Sequence, residues 1–340
     1  MLTFATYFDS GFLVRGVTCL GSLLAHCSEP VALYVLALDD ACAAALPAAL
    51  PEANLTVVTM AEFEARHPEL VAVRPQRSRI EYYFTLTPLL CADALAATEP
   101  GALMTYLDAD MFCFADPVPA LAEVGAADVF VTEHRFAPRH AHLADLYGRF
   151  NVGFLGFRNT GSGRACVDRW AEKCLEWCAI EPQDGRFGDQ KYLDAWPNEV
   201  ERLAVLDHAG VNAGPWNIER HRYAASRSGV TVDQRALVIF HFHRLRVLGP
   251  WRYETDYRDY GSLPKVLREE VYLPYLAALE ATRERLGIAP PQSDARAAHV
   301  PDHAMPRAMA SRLAATARLF TRQRVVFAGG RVLSPIQALL

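Results

Sequence analysis

The 340 residues are 51% hydrophobic and 21% charged, a balance that excludes a disordered, fibrous or coiled-coil protein and leaves one large α/β domain or two smaller ones. Lys and Arg number 34 against 39 Asp and Glu, a net charge of −5, which gives no support for coating nucleic acid. The eight cysteines form no C-x-x-C pair and read as buried, reduced thiols, because disulfide frameworks belong to short secreted chains.

Taken in chain order, residues 2–8 read as a strand with no basic stretch before them of the kind a signal peptide carries. Residues 11–26 read as a helix, interrupted by Arg15 and too short and polar to span a bilayer. A cytoplasmic protein is the expectation. A strand at 31–38, a helix at 41–50 and a strand at 55–58 follow. Continuous apolar strands separated by helices predict a mostly parallel sheet covered on both faces. Next come a helix at 81–97, strands at 102–107, 128–132 and 150–158, and a helix at 163–180. Beyond Pro197 the pattern changes to short β pieces ending at 237–243. Residues 263–286 are helical, 289–306 form a Pro/Ala/His-rich linker, and 307–340 are a basic tail with no acid after Asp302.

Four places carry chemistry. Asp108-Ala-Asp110 follows a buried-type strand directly, which puts it at the carboxyl edge of the sheet, where open α/β folds bind ligands. A D-x-D triplet arises by chance about once in a chain of this composition, so position gives it meaning. Carboxylates at i and i+2 in extended backbone can converge on one Mg²⁺ or Mn²⁺ that takes further oxygens from a diphosphate; otherwise they are a solvated turn. In Ile239-Phe-His241-Phe-His243-Arg244-Leu-Arg246 the two histidines share one strand face. One imidazole can complete a site with Asp108 and Asp110, and the arginines can clamp phosphate oxygens.

The third place is Phe150-Asn151-Val-Gly153 with the later Asp189-Gln190. A strand glycine permits close approach of a ligand or backbone, and an Asp opening a helix can be a plain N-cap. The fourth, Gly210-Val-Asn212-Ala-Gly-Pro-Trp216-Asn217, is a turn or a platform for a sugar ring.

In this order the motifs resemble the GT-A glycosyltransferases of family eight, the group of the galactosyltransferases and glycogenins, over roughly residues 2–250. The resemblance implies a Rossmann-like, mixed but mostly parallel sheet flanked by helices, with a helical C-terminal extension at 251–288. It also implies a nucleoside-diphosphate sugar donor, usually UDP-linked, a Mn²⁺ or Mg²⁺ ion, and transfer with retention. Thr6 and Asp9 would lie beside the nucleotide. Asp108 would touch ribose and metal, Asp110 would be the main ligand, and His241, with His243 as the alternative, the third. Asn151, Asp189 and Gln190 would surround the donor sugar and the reacting centre.

The chain departs from that family's late His-x-x-Gly and Lys-Pro-Trp. Arg244 takes the glycine's place, and the triplet is Gly249-Pro250-Trp251. Arg244 or Arg246 would then neutralise the diphosphate. Arg77 or Arg79 would stand for an arginine that the family often has in the following helix. The acceptor, a saccharide, a lipid-linked saccharide or a protein, would meet Asn212 and Trp216.

The alternatives are a non-catalytic nucleotide-sugar-binding protein and a haloacid-dehalogenase-type phosphatase. The latter wants Thr or Val where Phe112 stands. In the tail, Arg307, Arg318 and Arg322 fall on one helical face among apolar residues that include Val325, Val326 and Phe327. A basic amphipathic helix follows, lying on an anionic membrane surface or docked on the protein's own acids.

Overall fold

Strand β1 (Leu2–Phe8) buries residues of both parities, Phe4 and Phe8 on one face and Ala5 on the other. Such a strand is stable only between two layers of helices. The computed structural model, which describes residues 1–249, 251–257, 260–289, 324–334 and 337, has that arrangement. Around β1 lie β2 (Val31–Ala37), β3 (Asn54–Thr59), β4 (Leu103–Leu107), β6 (Val129–Glu133), β7 (Phe150–Arg158) and β8 (Leu203–Val205), with the short β5 (Met111–Cys113) outside the main sheet. The seven strands run in the order β3-β2-β1-β4-β7-β6-β8. Only β7 is antiparallel to its neighbours β4 and β6; β1 pairs in parallel with β2 and β4, and β6 with β8. The mixed, mostly parallel sheet is the expected one.

One face packs on helices Arg79–Ala96 and Gly161–Glu176 through Leu86, Leu90, Tyr106, Leu155 and Trp170. The other packs on Leu13–His26 and Asp40–Ala49 through Phe4, Val17, Leu46 and Phe154. Helix starts are marked chemically. Ser78 and Glu81 form a capping box, and the Asp39 carboxylate accepts from Cys42 N–H, each supplying a partner for an otherwise open helical N–H. All eight cysteines are free, and seven are buried.

Because β7 is reversed, its amino end meets the carboxyl ends of β1, β4 and β6 at one edge of the sheet. A second pairing closes that edge. β5 runs antiparallel to the strand Ile239–His241, with Met111 opposite His241.

The expected helical C-terminal part is present over Lys265–Leu267 and Leu273–Arg285, and beside it lies a sheet that was not expected. Arg246–Gly249, Arg252–Asp256, Arg324–Ala328 and Arg331–Val332 form a four-stranded sheet. It packs on the helix Leu273–Arg285 through Tyr253, Leu276, Val325 and Phe327. Over Arg324–Ala328 and Arg331–Val332, joined by a turn at 329–330, the tail is therefore strand and not amphipathic helix. Its β-branched and aromatic run suits a pleated, buried surface, and Val325, Val326 and Phe327 are at most 2% exposed. Arg307, Arg318 and Arg322 lie outside the described residues. Among the described residues no helix is long and apolar enough to cross a membrane.

Candidate active site

The turn between β4 and β5 carries Asp108 and Asp110. Its backbone is tied to β7, Asp108 N–H donating to Gly153 O at 3.0 Å. Tyr106, two residues earlier and so on the same strand face, donates its hydroxyl to Asp108 Oδ1 at 2.8 Å. The β5 pairing delivers His241, whose Nε2 lies 3.0 Å from Asp110 Oδ1 and 3.7 Å from Asp108 Oδ2. One ligand atom from each of the three residues falls within 4.8 Å of the others. Burial alone would lower the His241 pKa, but the two carboxylates outweigh it and raise it. Burial raises Asp108, whereas the imidazole overcomes burial at Asp110 and lowers it. Two carboxylates and one imidazole are a donor set that fits Mn²⁺ or Mg²⁺. His243 does not join them; its ring stands edge-on to Trp216, centroids 5.8 Å apart.

These residues line a cleft of about 1190 Å³. In its wall Asp9 pairs with Arg79, Nη2 to Oδ2 at 2.7 Å, while Asp9 Oδ1 accepts from Phe12 N–H. Arg79 also donates from Nε to the Tyr83 hydroxyl at 2.7 Å. Asn151, Asp189, Gln190, Trp216, His243 and Arg244 also line it. Gln190 Oε1 accepts from Asn151 Nδ2 at 3.2 Å, and Gln190 Nε2 donates to Tyr147 O at 2.8 Å. Asp189 is 5% exposed. Burial pushes its carboxyl up to about 7, the Asp108 charge adds to that, and the Thr87 hydroxyl opposes it. Asp189 is not an N-cap, since the helical turn Lys191–Ala195 begins at Gln190 without a side-chain cap.

Four expected residues do not line the cleft. Thr6 is buried within β1, and its neighbour Tyr7 lines the cleft instead. Arg77 donates to Leu175 O at 3.2 Å. Arg246 is drawn to the fully buried Glu254 on the adjacent strand. Asn212, 0% exposed, donates to Thr132 Oγ1 at 2.8 Å and Asn151 Oδ1 at 2.9 Å, behind the cleft wall. Among the lining residues that were not foreseen are Tyr106, Thr87 and His134. Tyr106 was legible from its i−2 position to Asp108. His134, just past the carboxyl end of β6, was legible from the rule that singled out Asp108.

The chain is 29% identical over 311 residues to the uncharacterized protein YfnD of Bacillus subtilis strain 168, covering 89% of this chain and 96% of that one. Similarity to YfnF of the same strain is 27% over 253 residues, 72% of this chain and 82% of that one. No family model matches. Solved structures of similar chain path include the galactosyltransferase LgtC in complex with donor and acceptor sugar analogs, with TM-score 0.48, 15% identity, and coverage of 71% of this chain and 87% of that one. Another is apo mouse xyloside xylosyltransferase 1, with TM-score 0.46, 14% identity, and coverage of 71% and 97%. The chemistry rests on this chain's own side chains.

Proposed function

We propose that the protein is a glycosyltransferase that moves a sugar from a nucleoside-diphosphate donor, a UDP-sugar first among the candidates, to an acceptor hydroxyl with retention at the anomeric carbon. The observation that carries this reading is the convergence of Asp108, Asp110 and His241 in a cleft that also holds the Asp9–Arg79 pair and the Asp189–Gln190 turn. Asp108, Asp110 and His241 would hold Mn²⁺ or Mg²⁺, which when bound supplies neutralisation of the negative charge on a departing diphosphate. Arg244 takes the part of the family's missing lysine. Asp9, steadied by Arg79, offers oxygen acceptors to the base or ribose. Asn151, Asp189 and Gln190 enclose the donor sugar, and the last two steady the positive charge that develops at its anomeric carbon. Gln190 is uncharged and Asp189 is a carboxyl, so a front-face displacement and a covalent glycosyl intermediate both fit this set.

The acceptor is a saccharide, free or lipid-linked, or a protein, and Trp216 offers it a ring face. The same reading extends to a cytoplasmic protein in peripheral contact with an anionic membrane through Arg307, Arg312, Arg318 and Arg322, which sedimentation with anionic liposomes at low and high salt would test.

A thermal-shift screen of UDP-, GDP- and TDP-sugars with and without Mn²⁺ identifies the donor, because only a ligand of the native state stabilises by mass action. NMR of the product's anomeric centre then reads the stereochemistry. Metal-dependent binding without sugar transfer or donor hydrolysis would leave a non-catalytic binding protein. Release of phosphate from phosphomonoesters, with no response to any nucleotide sugar, would replace this reading with the phosphatase.

A further inference from the structure

His134 is 5% exposed, stacked on Phe136 with centroids 4.6 Å apart and edge-on to Trp216 at 5.4 Å. Its Nδ1 lies 3.1 Å from Gly148 O. A carbonyl only accepts, so Nδ1 carries the hydrogen and Nε2 is a bare acceptor. That acceptor faces Asn151 Nδ2 at 3.2 Å. The second Asn151 N–H goes to Gln190 Oε1 at 3.2 Å. Asn151 Oδ1 accepts from Gly153 N–H at 3.0 Å and from Asn212 Nδ2 at 2.9 Å. All four hydrogen-bonding positions of the Asn151 amide are thus filled by protein groups.

The network has one direction throughout. The Thr132 hydroxyl donates to Phe154 O at 2.7 Å and accepts from Asn212 Nδ2 at 2.8 Å. Asn212 has φ +51, the left-handed region that Asn tolerates better than most residues. Arg135, next to His134, holds the carbonyls of His208 and Val211 just before Asn212. A flip of the Asn151 amide would set its oxygen against His134 Nε2 and Gln190 Oε1, and its NH₂ against Gly153 N–H. Each clash leaves a buried polar group unpaired, which is costly away from water.

We infer that His134, as the neutral Nδ1–H tautomer, is a positioning residue that fixes the amide of Asn151 and, through it, the amide of Gln190 in the cleft. Only the meaning given to Gln190 rests on the glycosyltransferase reading; the clamp itself rests on the hydrogen bonds. Burial, which pushes His134 down to about 3, keeps the ring neutral at any working pH.

The test compares wild type with His134→Ala and His134→Gln in the full chain, the glutamine placing an amide oxygen near where Nε2 stands. In wild type the Asn151 side-chain NH₂, assigned by its loss in Asn151→Asp, should exchange slowly with solvent. His134→Ala should speed that exchange at least about tenfold, and His134→Gln should restore it. With an active donor, His134→Ala should lower kcat about tenfold to a hundredfold, the cost of a misplaced group, with donor KM within about twofold and recovery in His134→Gln. Unchanged exchange in His134→Ala, or equal loss of kcat in both variants, overturns the proposal. If His134→Ala does not fold, His134→Gln decides alone: slow Asn151 exchange supports the clamp and fast exchange overturns it. If wild type transfers no sugar, the proposed function fails, while amide exchange still judges His134.

Discussion

The imidazole of His241 stands where a side chain on residue 153 would have to be. A β-carbon built on Gly153 would lie 2.8 Å from His241 Nδ1 and 2.7 Å from Asn151 Oδ1, closer than real contacts allow. The glycine of Phe-Asn-Val-Gly is therefore a steric condition for bringing the late histidine against β7. Gly153→Ala should keep the fold and displace His241 or Asn151, reducing turnover about a hundredfold. Mn²⁺ affinity by electron paramagnetic resonance checks it; wild-type affinity and rate in the variant would show that the pocket absorbs a methyl group.

How much of this was visible beforehand depends on range. Strand 150–158 was legible to the residue because its apolar run is continuous, and the Asp108-Ala-Asp110 turn because it follows such a run. The choice between His241 and His243 was not legible, since it depends on how Ile239–His241 pairs with β5, a register between remote segments. Arg246 was misplaced for the same reason, its buried partner Glu254 lying on a strand whose pairing no local pattern reveals. The strand at 324–328 was missed because six arginines among apolar residues, in a segment without acids, suggested a basic amphipathic helix, whereas pairing with Arg252–Asp256 makes it interior.

Tyr106 supports Asp108 from behind. Tyr106→Phe removes one hydrogen bond to the carboxylate while preserving ring packing, and should weaken Mn²⁺ binding about tenfold, the usual cost of losing a partner of a metal ligand. Asp110→Ala should abolish it. A titration in which Tyr106→Phe binds as tightly as wild type would make the 2.8 Å bond incidental.

Asp189 carries a pH signature. Its carboxyl, pushed up to about 7 in the native protein from a usual value of 3.8, keeps its proton between these values while the unfolded chain releases it. Native protein then binds more protons, so this group's contribution to stability falls as pH rises from 4 to 7 and is level above. Asp189→Asn should match wild type in melting temperature near pH 4 and exceed it increasingly toward pH 7. Parallel curves, measured without metal, would mean that Asp189 is ionised throughout.

Phe327 is 1% exposed and stacks on Tyr272, ring centroids 5.6 Å apart. Phe327→Ala should cost about 3–5 kcal/mol, as other buried aromatic truncations do, read from the midpoint of urea unfolding. Removing the residues after 323 should destabilise the protein at least as much. A truncated protein as stable as wild type would make the strand dispensable.

The pairing of β5 with Ile239–His241 also sets an order of assembly. Every strand of the seven-stranded sheet lies before residue 206, and domains of a growing chain fold from the amino terminus onward. Asp108 and Asp110 can thus take their places on a paired sheet while His241 is still unmade. A ribosome stalled before that residue would display the scaffold and both acids without their imidazole, so His241 joins the cleft only after every strand of the main sheet has been made.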